Sequence, residues 1–181
     1  MGLSSKQIGV LKGMMAALAI AIASLGLAIA CGYRWPAQAA NVSPAQTIKW
    51  DVLVIACLAI NIAMLARHRF FTPDDIDGGG LAKGTPTALI LQSTLQNTLE
   101  QAALAIPVHV AWAIVMPATW HLAIPAAATL FVIGRVLFWR GYAAGAPARA
   151  LGFALTFYPS MLMLMAIVVM LLATVVGFGI R

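Results

Sequence analysis

Acid is nearly absent from this chain. Five of its 181 residues are acidic, four aspartates and the single glutamate Glu100, and only 9% of the chain is charged. Soluble domains carry about a quarter charged residues, so an ordinary water-facing globule is excluded. Cysteine is limited to Cys31 and Cys57, both in apolar runs, and the chain has three scattered histidines. Without a Cys-x-x-Cys pair or clustered histidines there is no metal site to read, and the cysteines read as small packed hydrophobes. Long polar stretches are missing too. None exceeds about 20 residues, too short for a separate soluble domain. The net charge is +6, yet a basic stripe interleaved with aromatics is absent, which argues against nucleic acid as a partner.

What is present is hydrocarbon. The chain is 62% hydrophobic, with mean hydropathy +0.95. Its apolar runs reach the roughly 20 residues that cross a bilayer as helix. The expected fold is an all-α integral membrane protein with helices at about 11–32, 50–66, 87–115, 121–143 and 152–178. Pro- and Gly-rich stretches separate the spans, among them "RHRFFTPDDIDGGGLAKGTP" and "RGYAAGAPAR".

Five spans put alternate loops on opposite sides. With the N-terminus cytoplasmic, Lys6, Lys12, Arg67, Arg69, Lys83, Arg135, Arg140 and Arg149 fall on or near the inside, and Arg34, Lys49 and Arg181 outside. That split of 8 to 3 obeys the positive-inside rule. Lys6, Lys12, the apolar run and "AQA" at Ala37–Ala39 also have the pattern of a signal peptide; a retained signal anchor or added helix is the favoured reading.

The third span breaks the apolar pattern. Residues at i, i+4, i+7 and i+8 share a helix face, and from Ser93 that face reads Ser93, Asn97, Glu100 and Gln101, flanked by Gln96. A charge at membrane depth costs about 2.5–3.5 kcal/mol on insertion scales. Glu100 therefore needs a partner, and Arg135 or Arg149 is expected to supply it. One reading is a buried Glu–Arg pair that fixes packing. The other is a polar ligand site, since Asn97 adds donors and acceptors that a salt bridge does not need. Arg135, Phe138 and Tyr142 share a face of the fourth span, and Pro147 suits a helix entry that presents Arg149. With Arg67 and Arg69 at the same depth, the cluster suits a small polar anion that also carries an ammonium group. Asp51 reads as a helix-start acid, and His109 and His121 as interfacial or packing residues.

These residues resemble a known family. "QNTLEQ" is similar to the asparagine-x-x-glutamate signature of the MAPEG superfamily, the membrane-associated proteins of eicosanoid and glutathione metabolism. "GRVLFWRGYAAGAPARALGF" resembles that family's arginine, aromatic, glycine-tyrosine and downstream arginine, and "ARHRFFTPDD" its basic loop. The resemblance runs from about Ile48 to Leu172. It implies a bacterial-type four-helix membrane domain at 48–181, preceded by an added transmembrane helix and external loop at 1–47.

By resemblance the chain is a homotrimer that binds glutathione between subunits near the cytoplasmic face. Asn97 and Glu100 would hold its backbone and amino group, Tyr142 a carboxylate or amide, and Arg67 the carboxylates. Arg135 would order the cluster, and Arg149 is the expected catalytic residue, stabilising the thiolate. The implied function is a glutathione-dependent transferase or peroxidase acting on lipophilic small molecules in the bilayer. Gln96, Ser93 and Phe138 stand where glutathione-using members carry arginine or a hydroxyl-bearing or imidazole ring. The alternative is therefore a non-catalytic MAPEG-like scaffold that binds a lipid or, through the N-terminal helix, a partner membrane protein. A transporter is disfavoured, because only one span has a pronounced polar stripe and no inverted repeat is visible. The expected location is a bacterial inner membrane.

Overall fold

The computed structural model describes residues 2–79, 81 and 83–176. Arg181, counted above on the outer side, lies outside the described residues. Among the described residues six α-helices follow one another: α1 (Ser5–Arg34), α2 (Pro36–Ala40), α3 (Pro44–Phe71), α4 (Pro86–Val115), α5 (Ala123–Gly141) and α6 (Ala146–Val175). Five are long and apolar enough to cross a membrane. The protein is an all-α integral membrane protein with an extra helix ahead of four others.

Helices α1, α3, α4 and α6 begin before their expected starts, and the caps show why; α5 is two residues shorter than expected at each end. At α1, Ser4 Oγ accepts from the Gln7 amide and Gln7 Oε1 accepts from the Ser4 amide, a capping box that begins the helix several residues early. Pro44, Pro86 and Pro147 each lie in a first turn, where the missing N–H costs nothing. The segment between α1 and α3 also holds the short helix α2 in place of a plain loop.

In the packing, α6 is central, lying against α5, α1 and α4, while α3 pairs chiefly with α4. Small residues make these approaches possible, as expected where lipid removes most of the hydrophobic drive between helices. A Cβ at Gly134 would sit 2.8 Å from the Gly152 carbonyl oxygen, and one at Gly152 would collide with the Phe138 backbone. The main apolar cluster, around Trp112, Ile124 and Met163, lies in the half of the bundle away from the α5–α6 turn.

Two buried polar contacts hold α4 in place. Asp51 is not a helix-start acid. It lies well inside α3, is 1% exposed, and its Oδ1 is 2.7 Å from Nδ1 of the equally buried His109. At the other end, Asp75 accepts from the Thr85 hydroxyl at 2.6 Å and from the Thr85 amide at 2.7 Å, with His68 Nε2 at 2.9 Å. The Thr85 hydroxyl first, then its amide and His68, hold the Asp75 carboxyl below the usual carboxylate range. Thr85 in turn accepts from the Ala88 amide and caps α4.

Candidate functional site

The polar stripe of α4 forms one wall of a pocket of about 650 Å³. Gln92, Ser93, Gln96, Asn97 and Glu100 line it from α4. Phe138 and Tyr142 face them from the end of α5, and Arg149 and Phe153 from the start of α6. Gly145, with φ +98°, turns the chain tightly between these helices and delivers Arg149 back over Tyr142. The Arg149 guanidinium carbon lies 4.2 Å from the centre of the Tyr142 ring, a cation–π contact. Phe138 meets Tyr142 edge-on at 5.3 Å.

Four expected residues, Asn97, Glu100, Tyr142 and Arg149, therefore share this pocket. Arg135 sits behind it. Its side chain is 0% exposed. One guanidinium nitrogen donates to Asn97 Oδ1 at 2.8 Å and the other to Thr156 Oγ1 at 2.6 Å. The ring of Phe138 lies 4.5 Å from the guanidinium carbon. The Thr156 hydroxyl donates to the Phe153 carbonyl, which leaves its lone pairs for the arginine. Because the Asn97 oxygen faces Arg135, the Asn97 NH₂ remains for a ligand.

The expected pairing of Glu100 with an arginine is not made. Glu100 is exposed in the single chain, and its Oε1 accepts from Gln96 Nε2 at 2.9 Å. One turn of helix brings Gln96 within reach on the same face, whereas Arg135 is already committed to Asn97 and Thr156. Among the described residues the ion pairs are the two histidine–aspartate contacts. Gln101 also departs from the stripe: it is buried, and its carbonyl oxygen has no hydrogen-bond partner among the described residues.

Arg67 is absent from this pocket. It is exposed at the end of α3, with its guanidinium carbon 6.0 Å from the Phe71 ring, and lines a separate pocket with Met64, His68 and Leu91. Its neighbour Arg69 instead donates to Gln92 at 2.7 Å. Arg67, on α3, thus sits beside Leu91 of α4 and not beside the polar residues that line the larger pocket.

Thr156, Val10 and Met14 escaped the sequence reading. A lone threonine in an apolar run gives no signal. Val10 and Met14 line the pocket from α1, and a signal for that does exist. "GVLKG" places Gly9 and Gly13 one turn apart, the small-x-x-x-small spacing of closely packed membrane helices. A Cβ at Gly9 would lie 2.9 Å from Pro147 Cβ, and one at Gly13 3.0 Å from the Leu151 amide nitrogen. The two glycines seat α1 on the first turns of α6.

A model of the MAPEG family matches residues 47–169, which leaves α1 and α2 ahead of the match. No curated protein and no solved structure matches the chain.

Proposed function

The chain belongs to the MAPEG family, and on that premise we propose that it is a glutathione-dependent membrane transferase or peroxidase acting on lipophilic substrates. One observation carries the reading: Asn97, Glu100, Tyr142 and Arg149 line a single pocket that is polar on its α4 wall and aromatic opposite. Its volume suits a small-molecule site. Glu100, with only Gln96 on its carboxylate, is available to an ammonium group. The Asn97 NH₂ donates to a peptide carbonyl and Tyr142 to a carboxylate. A free thiol has a pKa near 8.5 and is mostly protonated at neutral pH. The guanidinium of Arg149 favours the thiolate, the nucleophilic form.

The pocket is completed by neighbouring copies. Gln92, Ser93, Gln96 and Glu100 are exposed in one chain, and hydrocarbon penalises polar groups left facing it. A closed homotrimer covers that face and brings Arg67 of one copy toward the pocket of the next. The protein sits in a bacterial inner membrane, N-terminus inside, with the pocket toward the cytoplasmic face, as the charge split favours. Native mass spectrometry in mild detergent should give a trimer; a monomer argues against shared pockets.

A second reading rests on the pocket lining itself. Among the described lining residues Arg149 is the one cation, and Gln96, Ser93 and Phe138 supply no other. A non-catalytic scaffold would use the same cluster to bind a lipid, with the outer face of α1, including Met15, Ile22 and Leu27, offered to a partner membrane protein. Thiolate absorbance during glutathione titration separates the two. The enzyme reading expects a thiolate in wild type that weakens in Arg149→Ala. No thiolate and no binding at millimolar glutathione leaves the scaffold.

A further inference from the structure

Helix α1 lies outside the family match, yet it supplies part of the pocket wall. A second cavity, of about 390 Å³, continues from that wall along the first three turns of α1. Leu3, Val10, Leu11 and Met14 line it, with Lys6 toward its N-terminal end and Ala146 of α6 across from them. Val10, Met14 and Ala146 belong to both cavities. The groove is therefore continuous with the polar pocket.

We propose that this groove is a subsite for a single-chain anionic amphiphile, the lipophilic substrate of the neighbouring pocket, and that α1 sets its specificity. Lys6 to Met14 spans about 12 Å at the helical rise of 1.5 Å per residue. A carboxylate held at Lys6 lies at the membrane surface, where a lysine keeps its charge in water. The hydrocarbon then runs down α1 over Val10 and Leu11, as an acyl chain runs in a leaflet. Near Met14 it meets the mouth of the polar pocket. The group that reacts is then on the chain, away from the charged head. A cavity of about 390 Å³ takes one alkyl chain rather than two, which disfavours a two-chain phospholipid. Gly9 and Gly13 fix the rotation of α1 against α6, so that Val10 and Met14 face the groove.

The identification of the occupant as a substrate rests on the enzyme reading; its binding does not, and the test separates them. The whole protein in nanodiscs is labelled with a photoreactive C16 fatty acid, and the crosslinked peptides are identified by mass spectrometry. Wild type should show saturable labelling on the first three turns of α1, displaced by unlabelled palmitate. Val10→Trp, which fills the groove from a half-exposed position, should lower that labelling at least tenfold. Ile22→Trp, on an exposed face farther along α1, should leave it unchanged. Lys6→Glu should weaken labelling by the acid and spare the matching fatty alcohol. Lys6 is exposed, so this variant reports even if Val10→Trp does not fold.

Labelling that is unsaturable, or equal in wild type and Val10→Trp, overturns the subsite. Displacement by phosphatidylglycerol but not by palmitate makes the groove a seat for bilayer lipid and overturns it equally. Glutathione titration runs in parallel. Labelling without any thiolate sinks the enzyme reading and leaves the amphiphile site standing; thiolate without labelling does the reverse.

Discussion

Arg135 offers the sharpest test of the architecture. It is a fully buried cation tied to α4 through Asn97 and to α6 through Thr156, with no carboxylate within ion-pair distance among the described residues. Thr156→Val removes one acceptor and keeps the shape. A hydrogen bond to a charged group contributes about 1.5–3 kcal/mol, whereas polar contacts between membrane helices average only about 0.6 kcal/mol. The fork geometry, the 2.6 Å contact and the absence of a competing carboxylate place this bond in the first class. Arg135→Met removes the charge and fills most of the volume, so in that background Thr156→Val has no cation to strand. A double-mutant cycle read by reversible unfolding in mixed micelles should therefore give a coupling of about 1.5–3 kcal/mol. That is roughly ten- to hundredfold in the folding equilibrium. A coupling below about 0.5 kcal/mol, the usual scatter of independent sites, would refute the assignment of Thr156 as the partner of the guanidinium. The same cycle with glutathione present links packing to function. Arg135→Met frees the Asn97 amide to rotate, and binding should weaken although Arg135 does not line the pocket.

The remaining expectations concern single elements. Glu100→Gln should leave protomer stability within about 0.5 kcal/mol, as for surface changes, because the carboxylate is exposed and bonded only to Gln96; glutathione affinity should fall, and a large stability loss would mean a buried ion pair exists after all. Gly152→Ala should destabilise by about 1–3 kcal/mol as an overpacked contact, since its Cβ would strike the Phe138 backbone; an unchanged thermal midpoint in detergent would contradict that approach. Asp75 has a lowered folded pKa, so its stabilisation is present above the ordinary carboxylate pKa and is lost as pH falls through the folded value. The protection factor of the Thr85 amide against hydrogen exchange should fall as pH drops below that ordinary pKa in wild type and lose this pH dependence in Asp75→Asn. Cysteines placed in the 67–86 segment should label from the cytoplasmic side; labelling from outside would reverse the topology.

The spans were legible in the sequence because length and the near absence of charge decide what crosses hydrocarbon. The α4 stripe and the Arg135–Phe138–Tyr142 face were legible because helical periodicity fixes which residues of one helix share a side. Periodicity does not say which face meets which. Only the tertiary structure decided that Arg135 turns to Asn97 and Thr156, leaving Glu100 exposed with Gln96. It also decided that Arg67 leaves the pocket of its own chain, and that Asp51 finds His109, 58 residues away. The role of α1 was hidden for the same reason. Its rotation is set by how closely Gly9 and Gly13 approach α6. That approach depends on the absence of a side chain, and its consequence, Val10 and Met14 in the pocket wall, exists only once two distant helices touch.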